Sequence, residues 1–148
     1  MDLGALLTGT LSDTLGVSLP HFRVELALAA TVVLVLLCRM LPVLRWLDSG
    51  MVALGGAAFA AWYAWDDFRG LAADAARVEL FGGLLVDDSL TCWIRLLLAG
   101  FLVMYVVFTK VSGIPDREDG ADFYTLVTGA TLGMCLMASA NHLLTVFM

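Results

Sequence analysis

The chain has 148 residues, of which 61% are apolar and 15% are charged, and its formal net charge at pH 7 is −6. The charged residues fall into a few clusters between long uncharged runs, a pattern typical of a polytopic membrane protein. The acidic balance excludes nucleic acid as a partner, because phosphate binding requires a basic surface. We therefore expect a single membrane domain over residues 1–148.

The N-terminal segment and the cysteines carry no recognisable motif. Residues 1–20 are weakly amphipathic and lack the basic start of a cleavable signal, so we expect a short surface segment there. Cys38, Cys92 and Cys135 are isolated, with no C-x-x-C motif and no histidine at ligand spacing. We expect structural cysteines, and we predict no catalytic, cofactor-binding or metal-binding residue in this chain.

Four hydrophobic runs predict an all-α fold of transmembrane helices. They cover residues 22–41, 49–65, 90–109 and 123–139, and residues 142–148 begin a fifth helix. The first run has 20 residues and would reach about 30 Å, the thickness of the hydrocarbon core. Arg23, Glu25 and Arg39, near the ends of this run, can reach the membrane interfaces.

The second hydrophobic run has a face of small residues. Ala53, Ala57 and Ala61 recur at four-residue spacing, and Gly56, Ala60 and Ala64 lie beside them. Such a face lets a neighbouring helix approach closely, so we expect tight helix packing here.

Two polar stretches separate the runs. Residues 66–89 are expected to be a loop outside the bilayer core, in which the Gly82-Gly83 pair predicts a possible short β-hairpin. Residues 110–122 hold glycine, proline and several acidic residues and predict an aqueous loop. Basic residues flank both sides of the membrane in equal number, so the positive-inside rule does not decide the orientation.

The last segment, residues 124–148, permits two interpretations. It could form one tilted helix, or a helix that ends near Ser139 and is followed by a turn at Ser-Ala-Asn. We favour the turn. Five residues at spacings of three and four lie on one face of the preceding helix: Tyr124, Thr128, Thr131, Cys135 and Ser139. Gly129 and Gly133 lie on roughly the opposite face, so we expect this helix to contact protein on both sides.

Three ionisable residues are candidates for a site within the membrane. His142 could relay protons, although a position at the outer interface after the turn is favoured. Arg95 is expected to be a snorkelling anchor or a partner of Asp87 or Asp88. Glu25 is expected to be an interfacial carboxylate stabilised by the positive end of its helix dipole.

The final block resembles a known family. Residues 121–147, "ADFYTLVTGATLGMCLMASANHLLTVF", resemble the fourth-helix region of subunit N of bacterial NADH:quinone oxidoreductase, respiratory complex I. The segment "ELFGGLLVDDSL", residues 79–90, is similar to that subunit's loop into its third helix. The segment "LPHFRVELAL", residues 19–28, is similar to the Leu-Pro-Glu opening of helix one, with its glutamate displaced to Glu25.

The resemblance implies the N-terminal part of an antiporter-like subunit of about fourteen helices, multi-pass in the bacterial inner membrane with its N-terminus outside. The implied function is proton transfer coupled to quinone reduction, along buried Glu, Lys and His residues that alter each other's protonation. The family's glutamate and lysines of that path would follow Met148, so we expect this chain to lack the pumping residues.

The partners implied are the lipid bilayer and the other membrane subunits of complex I. NADH, FMN, iron-sulfur clusters and quinone are expected in partner subunits, with no cofactor in this chain. The alternative is a small helical membrane scaffold or assembly protein without transport activity.

Overall fold

The computed structural model describes residues 19–41, 48–71, 78–80, 85–114 and 119–141. These residues form four long helices and one strand pair, after a single helical turn at Leu19–His21. The elements are α1 (Arg23–Met40), α2 (Ser49–Leu71), β1 (Val78–Leu80), β2 (Leu85–Asp87), α3 (Ser89–Ser112) and α4 (Gly120–Ser139).

The four helices form an antiparallel bundle. Helix α1 packs against α2 and α4, α3 packs against the same two helices, and α2 also contacts α4. Ion pairs between helix ends show that neighbouring helices run in opposite directions. Arg39, near the end of α1, pairs with Asp122, at the start of α4. Lys110 near the end of α3 likewise pairs with Asp48, just before α2.

Each helix buries a narrow stripe of residues at spacings of three and four. In α1 the stripe is Val24, Leu28, Thr31, Val35 and Cys38. In α2 it consists of the alanines Ala53, Ala57, Ala60 and Ala64. In α4 it contains all five residues predicted to share a face, from Tyr124 to Ser139. Such spacing matches a helical face, and the bundle core lies where the four stripes meet.

Helices α1 and α2 approach each other closely at Gly56 and Thr31. A Cβ atom added at Gly56 would lie 2.0 Å from the Thr31 Oγ1 atom and 2.7 Å from its Cβ. The Thr31 hydroxyl donates a hydrogen bond of 2.7 Å to the carbonyl of Ala27, so its position is fixed within α1. Glycine at position 56 is therefore a packing requirement of this helix pair.

Local chemistry explains where α3 begins and ends. The Asp88 carboxylate precedes the helix and accepts a hydrogen bond of 2.8 Å from the Thr91 backbone N–H. At the other end Gly113 has φ of 71°, and its N–H donates to the Lys110 carbonyl. The Ile114 N–H donates to the Thr109 carbonyl at 3.2 Å, which completes a glycine-based C-cap.

Part of the stretch expected to be a loop is helical, and that expectation was wrong. Helix α2 continues past Trp65 to Leu71, because Asp66, Asp67 and Arg69 are charged but compatible with a helix. The strands beyond it pair in antiparallel fashion, with Leu80 opposite Leu85 and Val78 opposite Asp87. The Gly82-Gly83 pair lies outside the described residues.

Helix α4 ends at Ser139, so the interpretation as one long helix was wrong. Ala140 has extended backbone angles and forms an antiparallel bridge with Leu85 of the hairpin. Residues 1–18 and 142–148, with the surface segment and fifth helix expected there, lie outside the described residues. Gly129 and Gly133 have no side chain within 4 Å of an added Cβ, so the described residues provide no neighbour for that face.

Among the described residues, α3 and α4 are long and apolar enough to cross a membrane. Their outward faces carry large apolar side chains, including Leu97, Phe101, Met104 and Leu126. Helix α1 contains three charged residues and α2 is rich in alanine and glycine, and the structure does not place these two among the membrane-crossing candidates.

We predict that Gly56→Ala destabilises the bundle by about 1–3 kcal/mol, since the new methyl group would overlap Thr31 on α1. The measurement is the free energy of unfolding of the detergent-purified chain. Gly55→Ala is the matched control, because an added Cβ at Gly55 meets nothing within 4 Å. That change should be neutral or stabilise α2 by up to about 1 kcal/mol.

A second substitution, Thr31→Gly, tests whether the contact between residues 31 and 56 causes this destabilisation. In a Thr31→Gly background, Gly56→Ala should lose most of its destabilising effect, because the atoms that it meets are gone. If Gly56→Ala lowered the free energy of unfolding equally in the two backgrounds, contact with Thr31 would not be what requires glycine at position 56.

Candidate functional site

One end of the bundle brings together segments from all four helices and from strand β2. The start of α1, the last turns of α2, strand β2, the start of α3 and the end of α4 meet there. The Thr91 hydroxyl of α3 lies 3.4 Å from the carbonyl of Val86 in β2 and 3.4 Å from that of Ala138 in α4. The hairpin and the end of α4 are therefore joined at the start of α3.

Arg95 lies at the centre of this end. The N-cap at Asp88 starts α3 so that Arg95 falls on its buried stripe, one turn after Thr91 and one turn before Ala99. Its side chain is only 1% exposed. The guanidinium Nε atom lies 2.6 Å from Glu25 Oε1, and Nη1 donates a hydrogen bond of 2.9 Å to Asp87 Oδ1. One cation therefore links α1, the hairpin and α3.

Asp87 has polar partners on both carboxylate oxygens. Oδ1 accepts from Arg95 and lies 3.4 Å from the Cys92 thiol, which donates to it. Oδ2 lies 3.0 Å from the Nδ1 atom of His21, in the helical turn before α1. Asp87 is 6% exposed, whereas the His21 side chain is 43% exposed. The cluster thus extends from solvent to a fully buried carboxylate at Glu25.

Burial makes this cluster interdependent. Removing charges from water costs free energy that only close opposite charges offset, and loss of one partner typically costs about 3–5 kcal/mol. Both carboxylate oxygens of Glu25 and the Nε and Nη2 atoms of Arg95 are buried and have no hydrogen-bond partner among the described residues, so the 2.6 Å contact between Nε and Oε1 is an ion pair without hydrogen-bond geometry. The ion pairs therefore hold these two side chains in place, while part of their hydrogen-bonding capacity is unused.

Further charges lie around the cluster. Asp67, in the last turns of α2, interacts electrostatically with Asp87, Arg95, Arg23 and His21. One of its carboxylate oxygens is buried without a hydrogen-bond partner among the described residues. The α2 extension beyond Trp65 is what brings this acid to the cluster.

The opposite end of the bundle has simpler and more exposed charge pairs. Lys110 Nζ donates a hydrogen bond of 2.7 Å to Asp48 Oδ2, and Arg39 pairs with Asp122. Arg39 and Asp122 are each about half exposed. Exposed pairs of this kind contribute about 0–1 kcal/mol each.

The structure confirms one of the two roles expected for Arg95 and corrects part of the expectation for Glu25. Arg95 is not a snorkelling anchor: it is buried and pairs with Asp87, one of the two partners predicted for it. Glu25 lies in the first turn of α1, at the positive end of the helix dipole as expected, but its side chain is fully buried and pairs with Arg95. The sequence did contain an indication that Glu25 is buried, because Glu25 lies beside Val24 and Leu28 of the buried stripe of α1. His142 lies outside the described residues.

Other site residues were missed by sequence reasoning. The place of His21 depends on the long-range contact with Asp87, which no local spacing indicates. The place of Asp67 depends on the helical extension of α2.

Cys38, Cys92 and Cys135 are buried free thiols.

The chemical groups of the cluster are proton donors and acceptors. They comprise two buried carboxylates, a guanidinium, an imidazole and a thiol. In the described part of the chain, histidine, cysteine and acidic side chains form no group suited to hold a metal ion.

Comparison with known proteins identifies relatives of the chain. It is 35% identical over 136 residues to NADH-quinone oxidoreductase subunit N 2 of Sorangium cellulosum, covering 88% of this chain and 27% of that protein. It is 30% identical over 132 residues to subunit N 2 of Symbiobacterium thermophilum, covering 87% of this chain and 26% of that protein. Subunit N of Parvibaculum lavamentivorans is 38% identical over 77 residues, 49% of this chain and 15% of that protein.

No protein-family model and no solved structure matches the chain. The chain spans about a quarter of the length of the first of these relatives. The first match nevertheless covers 88% of this chain, and the other three matches are also to proteins named subunit N. Over most of its length the chain is therefore similar to one part of subunit N of the NADH-quinone oxidoreductases, the enzymes of respiratory complex I.

Proposed function

We propose that the chain is part of the membrane arm of a proton-translocating NADH:quinone oxidoreductase and contributes there to proton transfer coupled to quinone reduction. The observation that carries this proposal is the 35% identity over 88% of the chain to a subunit N protein. The two membrane-capable helices and the buried ionisable cluster support it. An ionisable side chain inside a helical membrane bundle is costly and commonly serves a function.

In this proposal all four helices cross the bacterial inner membrane. Helix α3 has 24 residues and would span about 36 Å, and α1 has 18 residues and would span about 27 Å. The two ends of the bundle carry the ion pairs, while the outward faces between them are largely apolar. The family resemblance favours an outward N-terminus, which would place the Arg95 cluster on the outer side.

Other membrane subunits of the complex are the proposed partners. The Gly129 and Gly133 face of α4 has room for a close neighbour, as small residues at four-residue spacing commonly provide. NADH, FMN, iron-sulfur clusters and quinone would belong to partner subunits. Reduction and oxidation would then take place outside this bundle.

We predict that an affinity-tagged chain, purified from solubilised membranes of the cells that produce it, recovers other complex I subunits together with NADH:quinone reductase activity. The control is a tagged helical membrane protein of similar size and unrelated sequence. Recovery of the chain without any complex I subunit would contradict the proposal and favour the scaffold alternative.

We also predict that the chain alone does not conduct protons across a bilayer. Between the Arg95 cluster and the opposite end, the buried stripe of α3 in the described structure continues as Ala99, Leu102 and Val106. The buried stripes of α1 and α4 add the hydroxyl groups of Thr31, Thr128 and Thr131, which do not titrate, so the described residues provide no chain of titratable groups along the bundle. Liposomes that contain the chain and a pH-sensitive dye, under a potassium diffusion potential, should acidify no faster than empty liposomes. A protonophore supplies the positive control, and a rate above that of empty liposomes would refute the prediction.

A further inference from the structure

We propose that the outward face of α2 and α3 contacts lipid, and that the aromatic cluster of Trp65, Phe68 and Trp93 lies at the boundary between the hydrocarbon core and the lipid headgroups. The occupant of this face is a phospholipid bilayer, with acyl chains against α3 and phosphate groups beyond the indole rings. This inference rests on the proposed membrane crossing, and it adds the depth of the bundle in the bilayer and the face that meets lipid.

The aromatic cluster joins α2 and α3 on the outside of the bundle. The ring centroid of Phe68 lies 4.5 Å from that of Trp93 and 6.2 Å from that of Trp65. Both tryptophan side chains are more than half exposed. An indole ring combines a large apolar surface with a single N–H donor, so tryptophan is enriched where a membrane meets water. Two exposed indole rings from different helices therefore lie at one level of the bundle.

The outward face of α2 changes from apolar to charged at this same level, because Asp66 and Arg69 are exposed directly after Trp65. Arg69 follows Trp65 by one helical turn and lies on the same face, just beyond the indole ring. Its guanidinium is complementary in charge to lipid phosphate groups, which lie outside the hydrocarbon core. Arg23, exposed at the start of α1, adds a second positive charge at this end of the bundle.

The span from the aromatic cluster to the opposite end matches the thickness of a bilayer. A Cβ atom added at Gly50 would lie 3.2 Å from Lys110 Cδ, so these two residues are level at the other end. From Trp93 to Lys110, α3 rises about 26 Å, close to the hydrocarbon thickness of about 30 Å. Residues 50–65 of α2 and 93–109 of α3 are all described, and none of them exposes a charged side chain.

The side chains on the outward face of α3 favour lipid over another helix. Leu97, Phe101, Met104 and Phe108 are large, and each is more than half exposed. Contacts between membrane helices are rich in small residues, as in the buried alanines of α2. The outward face of α3 lacks such residues over this span except at Gly100, whose surroundings are large side chains. Acyl chains, which adapt to an uneven apolar surface, are the occupant that this face fits.

This placement also gives the depth of Arg95 in the membrane. Arg95 follows Trp93 by two residues and so lies about 3 Å further along α3. Its ion pairs would then lie near the boundary of the hydrocarbon core and not at its middle. Burial of charge costs less at that depth than at the bilayer centre.

Fluorescence quenching by brominated lipids can measure these depths in the full chain, reconstituted in phosphatidylcholine vesicles. Trp46→Phe, Trp62→Phe and Trp65→Phe together leave Trp93 as the single tryptophan. Lipid brominated near the headgroup end of its acyl chain should quench Trp93 more than lipid brominated near the methyl end. The ratio of shallow to deep quenching should therefore exceed one. A variant that keeps only Trp65 should give the same result from α2.

Phe101→Trp, in a chain whose four native tryptophans are changed to phenylalanine, is the matched control. Position 101 lies on the same outward face of α3, about 12 Å from Trp93 toward the middle of the membrane. Its ratio of shallow to deep quenching should be below one.

The outcomes separate this inference from the proposed membrane crossing. If the deep lipid quenches the control while Trp93 is quenched by neither lipid, or more by the deep one, the crossing stands and the boundary proposed here is wrong. If neither lipid quenches any of the variants, the crossing fails and this inference fails with it.

A partner subunit on this face is the competing occupant, and it is tested in the cells that produce the chain. Photoreactive benzoylphenylalanine in place of Trp93 should form no cross-link to another protein on illumination. A cross-link to another subunit would overturn the assignment of this face to lipid.

Discussion

The burial of one guanidinium determines the form of this end of the molecule. Arg95 cannot lose its charge, so a bundle that buries it must bring carboxylates to it from elsewhere in the chain. Glu25 comes from a helix that begins some seventy residues earlier, and Asp87 comes from a strand that ends just before α3. The hairpin is therefore more than a connection between α2 and α3. Asp87, the last residue of β2, completes the ion cluster. Leu85, the first residue of β2, forms an antiparallel bridge with Ala140 just after α4.

The rest of the bundle is held by small residues and hydroxyl groups. Thr31 fills the space that Gly56 leaves and turns its hydroxyl to its own helix at Ala27. Thr131 and Ser139 in α4 also donate to carbonyls four residues earlier. Such internal hydrogen bonds let polar side chains lie on a buried face without partners on other helices. Most of these hydroxyl groups therefore form hydrogen bonds within their own helix and none between helices, whereas at the Arg95 cluster the polar side chains themselves link different elements.

The sequence predicts the elements of this fold better than its charged contacts. Hydrophobic runs indicate four helices, and the spacing of Tyr124, Thr128 and Thr131 identifies the buried face of α4, because both features are periodic and local. The Arg95–Asp87 pair is also local, since eight residues separate the partners. The pairing of Arg95 with Glu25 and of Asp87 with His21 depends on the order of helices in the bundle, which periodicity does not encode. Charge was also a poor guide to the end of α2, because charged residues stop a hydrophobic run but not a helix.

The charged side chains are exposed to solvent at one end of the bundle and buried at the other. The two ends should therefore differ in their sensitivity to ionic strength. Mobile ions screen exposed charges over about 10 Å at 0.1 M but act weakly on buried ones. The Arg39–Asp122 pair is about half exposed on both sides, and Asp48 is similarly exposed beside Lys110. Arg95 and Glu25 are almost out of reach of such ions. Rising ionic strength would therefore weaken the Arg39–Asp122 and Lys110–Asp48 pairs and affect the Arg95–Glu25 pair much less, so that salt acts on one end of the bundle and hardly on the other.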